Sequence, residues 1–130
     1  MKATRFFCTL VLACLLPLGV WADTVVIEIN ETNFPNAKFR TYLLSTSYGN
    51  DGLLTEEELA NVTEMNVSEK GIASLKGIEY FTALTYLDCS CNNLTELDVS
   101  KNTKLTTLYC YCNKIKGAQM DALIASMPTV

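Results

Sequence analysis

Apolar positions in the second half of the chain recur at a fixed interval. Leu84, Leu87, Cys89, Asn92 and Leu94 are matched by Leu105, Leu108, Cys110, Asn113 and Ile115, each 21 residues further on. A more divergent copy, Val62, Met65, Val67, Lys70 and Ile72, lies 22 residues before the first of these, with Lys70 in place of the asparagine. The step of two between Leu87 and Cys89 is a strand period, so both point inward while Asp88 points out. The return path is apolar at regular steps too: Leu75, Ile78 and Phe81 after the first copy, Leu94, Leu97 and Val99 after the second. One unit cannot bury these side chains alone. Stacked units can, as a continuous core behind a parallel sheet.

The flanks carry other periods. Val25 to Ala60 reads as a short strand followed by a helix, a loop and a second helix. Pro35 suits the first turn of the earlier helix, and Phe39, Tyr42 and Leu43 share one of its faces. After Gly49, Asn50, Asp51 and Gly52, the later helix opens on a capping box, with Thr55 at the N-cap and Glu58 three residues on. Leu54 and Leu59 are placed for the hydrophobic staple that accompanies such a box. At the other end, Met120, Leu123, Ile124 and Met127 form an amphipathic stripe over Ala118 to Ser126, and Pro128 ends it. This helix is expected to be a lid, because an open solenoid end exposes core and sheet edge.

The three copies fit the pattern L-x-x-L-x-L-x-x-N-x-L, and on those residues the chain resembles leucine-rich repeats. The asparagine turns the chain away from the strand. Its amide can satisfy backbone groups in the turn, and successive copies can stack as a ladder. The run from Ile72 to Ile78 is similar to internalin-like repeats, and the run from Leu94 to Thr103 is similar to the 21-residue repeats of bacterial surface and secreted proteins. The resemblance spans Val62 to about Ile115. It implies an α/β fold: a short solenoid of about three coils with a parallel sheet, a helix-loop-helix cap before it and a helical cap after it. The expected organisation is a signal peptide over 1–22, a strand plus helix-loop-helix cap over 23–61, repeats over 62–116 and a capping helix over 117–130.

The first segment is set apart by its own pattern. Lys2 and Arg5 precede an apolar run from Phe6 to Val20, broken only by Thr9, Pro17 and Gly19, and Val20-Trp21-Ala22 offers small residues at a cleavage site. The expectation is an exported protein: periplasmic, cell-surface or secreted. Val11 to Cys14 loosely matches a lipobox, which leaves lipid anchoring at Cys14 as the alternative. No other stretch approaches ~20 apolar residues, so no membrane insertion is expected of the mature chain.

Charge then narrows the function. Without Lys2 and Arg5, 14 acidic residues face eight basic ones, a net charge of −6. An acidic chain with no basic stripe argues against nucleic acid and anionic membranes as partners. The chain has no histidine, so the commonest general base and metal ligand is missing. Its serines and threonines have no activating base, and no glycine-rich phosphate loop occurs. The expectation is therefore no enzyme.

Two motifs carry possible metal or redox chemistry. The loop between the first two helices resembles a degenerate EF-hand, with Asp51 at position 5, Gly52 at 6, Thr55 at 9 and Glu58 at 12. Ser47 and Gly49 occupy positions 1 and 3, where carboxylates usually stand, and acids at a helix start need no metal to explain them. No cofactor is expected; calcium on Asp51, Thr55 and Glu58 is the alternative. Cys89, Cys91, Cys110 and Cys112 fall in equivalent pairs on neighbouring coils. They are expected to be free core cysteines, with Cys89–Cys110 or Cys91–Cys112 bridges and a four-cysteine zinc site as alternatives.

Strand alternation places nine side chains outward: Glu64, Asn66 and Ser68, then Tyr86, Asp88 and Ser90, then Thr107, Tyr109 and Tyr111. Asn66, Asp88 and Tyr109 should form one row. The family resemblance implies that this concave surface is the contact face, and tyrosine is enriched at interfaces. Aromatic residues also brace neighbouring strands, so sheet support is the plainer explanation. The implied function is a non-catalytic extracellular or surface binding module for a protein or a carbohydrate. A calcium-dependent module and a purely structural fragment of a longer repeat array are the alternatives.

Overall fold

The computed structural model describes residues 25–129. The expected signal peptide over 1–22, the expected cleavage after Ala22 and the alternative anchor at Cys14 lie outside the described residues.

The elements follow the order β1 (Val26–Glu28), α1 (Ala37–Ser45), β2 (Leu53–Thr55), α2 (Glu56–Asn61), β3 (Glu64–Asn66), a 3-10 turn (Ile78–Tyr80), β4 (Tyr86–Asp88), β5 (Thr107–Tyr109) and α3 (Ala118–Ser126). β3, β4 and β5 form a parallel sheet in that order. Met65, Leu87 and Leu108 share a register, as do Asn66, Asp88 and Tyr109. This is the 22- and 21-residue sequence spacing converted into one strand per coil. Pairing continues past the short strands: the Val67 N–H donates to the Asp88 carbonyl at 2.8 Å, and the Cys89 N–H to the Tyr109 carbonyl at 2.8 Å.

Behind the sheet lies one core. Val62, Met65, Val67, Ile72, Leu75, Ile78, Phe81, Leu84, Leu87, Cys89, Leu94, Leu97, Val99, Leu105 and Ile115 are all buried. Leu108 is inward but only half-buried, since β5 is the edge strand of the sheet among the described residues. The turn asparagines close the coils. Asn92 Oδ1 accepts from the Lys70 and Ile72 N–H groups at 3.1 and 2.9 Å, and its Nδ2 donates to the Val67, Cys89 and Ser90 carbonyls. Asn113 repeats this one coil on, accepting from the Leu94 N–H and donating to the Cys89, Cys110 and Tyr111 carbonyls. Each amide thus spans two coils and satisfies polar backbone that the turn leaves orphaned.

The N-terminal segment departs from expectation in one detail. Pro35 does not lie in the first turn of α1. It precedes the cap, and Asn36 is the N-cap, its Oδ1 accepting from the Lys38 and Phe39 N–H groups at 3.1 Å each. The asparagine side chain supplies what proline cannot. Phe39 and Leu43 are buried, with Tyr42 half-buried beside them. The capping box of α2 forms as the sequence indicates: Thr55 Oγ1 accepts from the Glu58 N–H, and Glu58 Oε2 accepts from the Thr55 N–H at 2.8 Å. β1 and β2 pair antiparallel, with Ile27 opposite Leu54.

α3 runs over the predicted residues, but its apolar stripe does not turn inward as a whole. Leu123 is buried, whereas Met120, Ile124 and Met127 are exposed. The helix meets the end of the solenoid along a line too narrow to cover four side chains. Among the described residues, no helix is long and apolar enough to cross a membrane.

Candidate binding face

Of the nine predicted positions on the outward side of β3, β4 and β5 and just past them, eight reach solvent. Glu64, Asn66, Tyr109 and Tyr111 are exposed; Ser68, Tyr86, Asp88 and Thr107 are half-exposed. Ser90 is the correction, since it is buried. Beyond Asp88 the backbone leaves the pleat, and the Ser90 hydroxyl folds back to donate to Asp88 Oδ1 at 2.6 Å. Ser68 makes the same bond to Asn66 Oδ1 at 2.7 Å one coil earlier. One oxygen of Asn66 and one of Asp88 are therefore committed within the fold.

Three tyrosines form a continuous stripe. Tyr86 and Tyr109 meet edge to face with centroids 5.9 Å apart, and Tyr109 and Tyr111 do so at 6.4 Å. Tyr86 is in register with Thr107, so its contact with Tyr109 is diagonal. The rings do brace the sheet, yet Tyr111 remains 62% and Tyr109 46% exposed, far more than bracing uses. Desolvation raises the Tyr86 phenol first, and the charge of Asp88 adds to it. The phenol stays protonated and can donate. Glu64 and Asp88 are the charged members of the nine positions, so the face is mildly acidic and aromatic.

The side chains named for the calcium alternative have partners within the fold. A side chain at Gly49 would place its Cβ 2.3 Å from the Leu43 carbonyl oxygen, so position 3 of the loop cannot carry a ligand without moving backbone. Glu58 is engaged with Thr55, and Asp51 Oδ1 accepts from the Leu53 N–H at 3.0 Å. Among the described residues no cluster of three or more cysteine or acidic side chains is disposed to hold a metal ion, at the four cysteines or in the loop. The cysteines are free thiols, but they are not all core residues as expected. Cys89 is buried, Cys91 and Cys110 are half-buried, and Cys112 is exposed. On the return side, an open groove of about 840 Å³ runs between the coils and α3, edged by Lys76, Glu79, Glu96, Asp98 and Lys101. Its charges are of mixed sign.

Coils stacked through a parallel sheet and closed by asparagine amides define a leucine-rich-repeat solenoid. The leucine-rich-repeat family profile matches residues 82–124 in two copies. Internalin J of Listeria monocytogenes serotype 4b (strain F2365) is 46% identical over 50 residues, which is 38% of this chain and 6% of that protein. Two solved structures are similar as well. The functional domain of InlJ from Listeria monocytogenes, described as including a cysteine ladder, has a TM-score of 0.63 at 31% identity, over 77% of this chain and 22% of that one. An internalin, inlF, from L. monocytogenes strain 4b F2365 has a TM-score of 0.61 at 33% identity, over 79% of this chain and 31% of that one. Internalin C2 of the same strain, at 22% identity and a TM-score of 0.63, shows likeness of fold alone; it is matched over 78% of this chain and 47% of its own. The chain carries leucine-rich repeats and is similar to internalins. It spans 6% of the curated relative and less than half of each of these solved chains.

Proposed function

We propose that the chain is a non-catalytic module, exported to the periplasm, cell surface or medium, that binds a protein through its concave face. The observation that carries this reading is the exposed edge-to-face stripe of Tyr86, Tyr109 and Tyr111. Rigid aromatic rings with polar tips give large contact area at little entropic cost, and such residues dominate interface energetics. A carbohydrate is the second reading, since tyrosine faces also stack on sugars. It is weaker here because Asn66 and Asp88, the natural acceptors for sugar hydroxyls, already spend an oxygen each on Ser68 and Ser90. Calcium has no part in this reading.

The test compares the parent with a triple Tyr86→Ser, Tyr109→Ser, Tyr111→Ser variant whose circular dichroism matches it. Both are immobilised and exposed to material from the native extracellular milieu, and to a glycan array. The parent should retain a specific protein that the variant binds at least about tenfold more weakly, the loss typical of a truncated aromatic anchor. Equal retention by the two would move the site to the return-side groove or the N-terminal helices.

A further inference from the structure

Two columns of cysteine cross the second and third coils, and their settings differ. Cys89 and Cys110 continue the inward register of β4 and β5. Cys89 is wholly enclosed, and its thiol is pushed up to about 12 by burial above all, with smaller contributions from Cys110 and Asp88. Cys91 and Cys112 stand two residues further on, where the strand alternation has ended. Both adopt left-handed backbone, φ 52° and 53°, as does Glu69 (φ 56°) at the same position of the first coil. That conformation favours glycine and asparagine, so backbone preference does not explain a cysteine there in two successive coils.

The two residues are held side by side. The Cys91 N–H donates to the Tyr111 carbonyl at 2.9 Å, which keeps the two turns one strand spacing apart. That spacing, ~4.8 Å, lies within the Cα separation a disulfide spans. The residues preceding each cysteine are clamped, since Asn92 donates to the Ser90 carbonyl and Asn113 to the Tyr111 carbonyl at 3.2 Å each. Hydrogen bonding to Cys112 is the main cause that raises the Cys91 thiol, followed by desolvation and the charges of Cys112, Glu69 and Asp88. The backbone thus sets the two cysteines at equivalent positions of adjacent turns.

We propose that Cys91 and Cys112 are a dithiol pair that closes to a disulfide across the rim of the concave face, beside Tyr111. Cys112, the exposed member, supplies the attacking thiolate. It bonds to one sulfur of a disulfide oxidant, and the other sulfur leaves and takes up a proton. Cys91 then gives up its proton and attacks the Cys112 sulfur of the mixed disulfide, releasing the second thiol. Two thiols of the chain become one disulfide, and one disulfide of the oxidant becomes two thiols. The oxidant is of the thiol–disulfide class found outside the reducing cytoplasm, so closure in the cell rests on export. Cys89 does not compete, because it is enclosed in the core. The bridge ties the third coil to the second at the end of the solenoid that packing seals least.

The test incubates the folded full chain with excess oxidised glutathione, blocks remaining thiols with iodoacetamide and maps the peptides by mass spectrometry. The expected product has lost two hydrogen atoms and joins the peptides carrying Cys91 and Cys112. Its thermal midpoint rises, and the rise disappears on reduction. Cys112→Ser keeps the parent's circular dichroism but loses the bridge and the shift, whereas Cys110→Ala retains both. Four free repeat thiols after incubation overturn the proposal. So do a Cys89–Cys110 product, a glutathione adduct that stops at Cys112, or a midpoint shift that persists in Cys112→Ser.

Discussion

At the N-terminal end of the solenoid, Phe34 meets Phe39 at 5.8 Å, Tyr80 at 5.6 Å and Phe81 at 6.4 Å between centroids, and Tyr48 meets Phe81 at 6.3 Å. The first coil is shaped to receive this cluster. Gly77 has φ 106°, and a Cβ there would come within 2.1 Å of the Phe34 ring, so only glycine lets the ring seat. Arg40 pins the approach by donating to the Phe34 and Pro35 carbonyls at 2.7 and 2.9 Å. At the C-terminal end, α3 contributes one buried side chain, Leu123, and one hydrogen bond in which the Ser126 hydroxyl accepts from the Val99 N–H at 3.2 Å. Nothing lies within 4 Å of a Cβ built on Gly117. In a repeat protein each coil is stabilised by its neighbours, so a coil with one strong neighbour and one thin lid is the weakest unit. The third coil is that unit: Leu108 and Cys110 are half-buried where their equivalents Leu87 and Cys89 are fully enclosed.

The largest effect should come from the sealed end. Phe34→Ala removes the ring shared by three aromatic partners and should cost about 3–5 kcal/mol in denaturant unfolding. Leu123→Ala should cost about 2 kcal/mol, the bottom of the range for a buried leucine, because its neighbours on α3 already face water and can settle into the gap. Equal losses would mean that the two ends are sealed alike.

A sharper version stays within one register. Leu87→Ala, in the middle strand, should cost ~2–5 kcal/mol, and Leu108→Ala, its in-register neighbour on the edge, about 1–2 kcal/mol. Hydrogen exchange should show the same order, with the β5 amides opening before those of β4. A Leu108→Ala loss as large as that of Leu87→Ala would show the third coil to be as well covered as the second.

Much of this was legible in the sequence, for reasons that can be named. Leu84, Leu87 and Asn92 carry a period that only stacking satisfies, and Thr55 with Glu58 states a helix start by itself. The tyrosine stripe followed from alternation alone. The failures share a cause: a local pattern says which side chains share a face, not what stands opposite. The stripe on α3 marked a face without showing how narrow its contact would be. Ser90 continued an alternation that the backbone had already left, and Asn36 outcompeted Pro35 by offering a side-chain oxygen. Asn102 was missed as a structural residue. It is wholly buried and donates to the Ile78 and Phe81 carbonyls at 2.9 and 3.0 Å, holding the return paths of two coils together. Its only sequence signal was a polar residue among inward return positions.

The smallest contrast lies in the asparagine ladder, and it separates packing from hydrogen bonding as the origin of the asymmetry. Asn92 is buried and accepts from two backbone N–H groups; Asn113 is half-buried and accepts from one. Removing either amide orphans backbone groups, and the penalty depends on whether water can replace the lost partner. Around Asn92 the orphaned Val67 carbonyl and Ile72 N–H belong to enclosed residues, so Asn92→Ala should cost about 1–3 kcal/mol. Around Asn113 the Tyr111 carbonyl is at the surface and the coil is open, so Asn113→Ala should cost about 1 kcal/mol or less. The two variants are compared by urea unfolding under identical conditions. If Asn113→Ala proves the more damaging, the third coil is held chiefly by its turn rather than by its core, and the thin lid of α3 is compensated by hydrogen bonds instead of apolar contact.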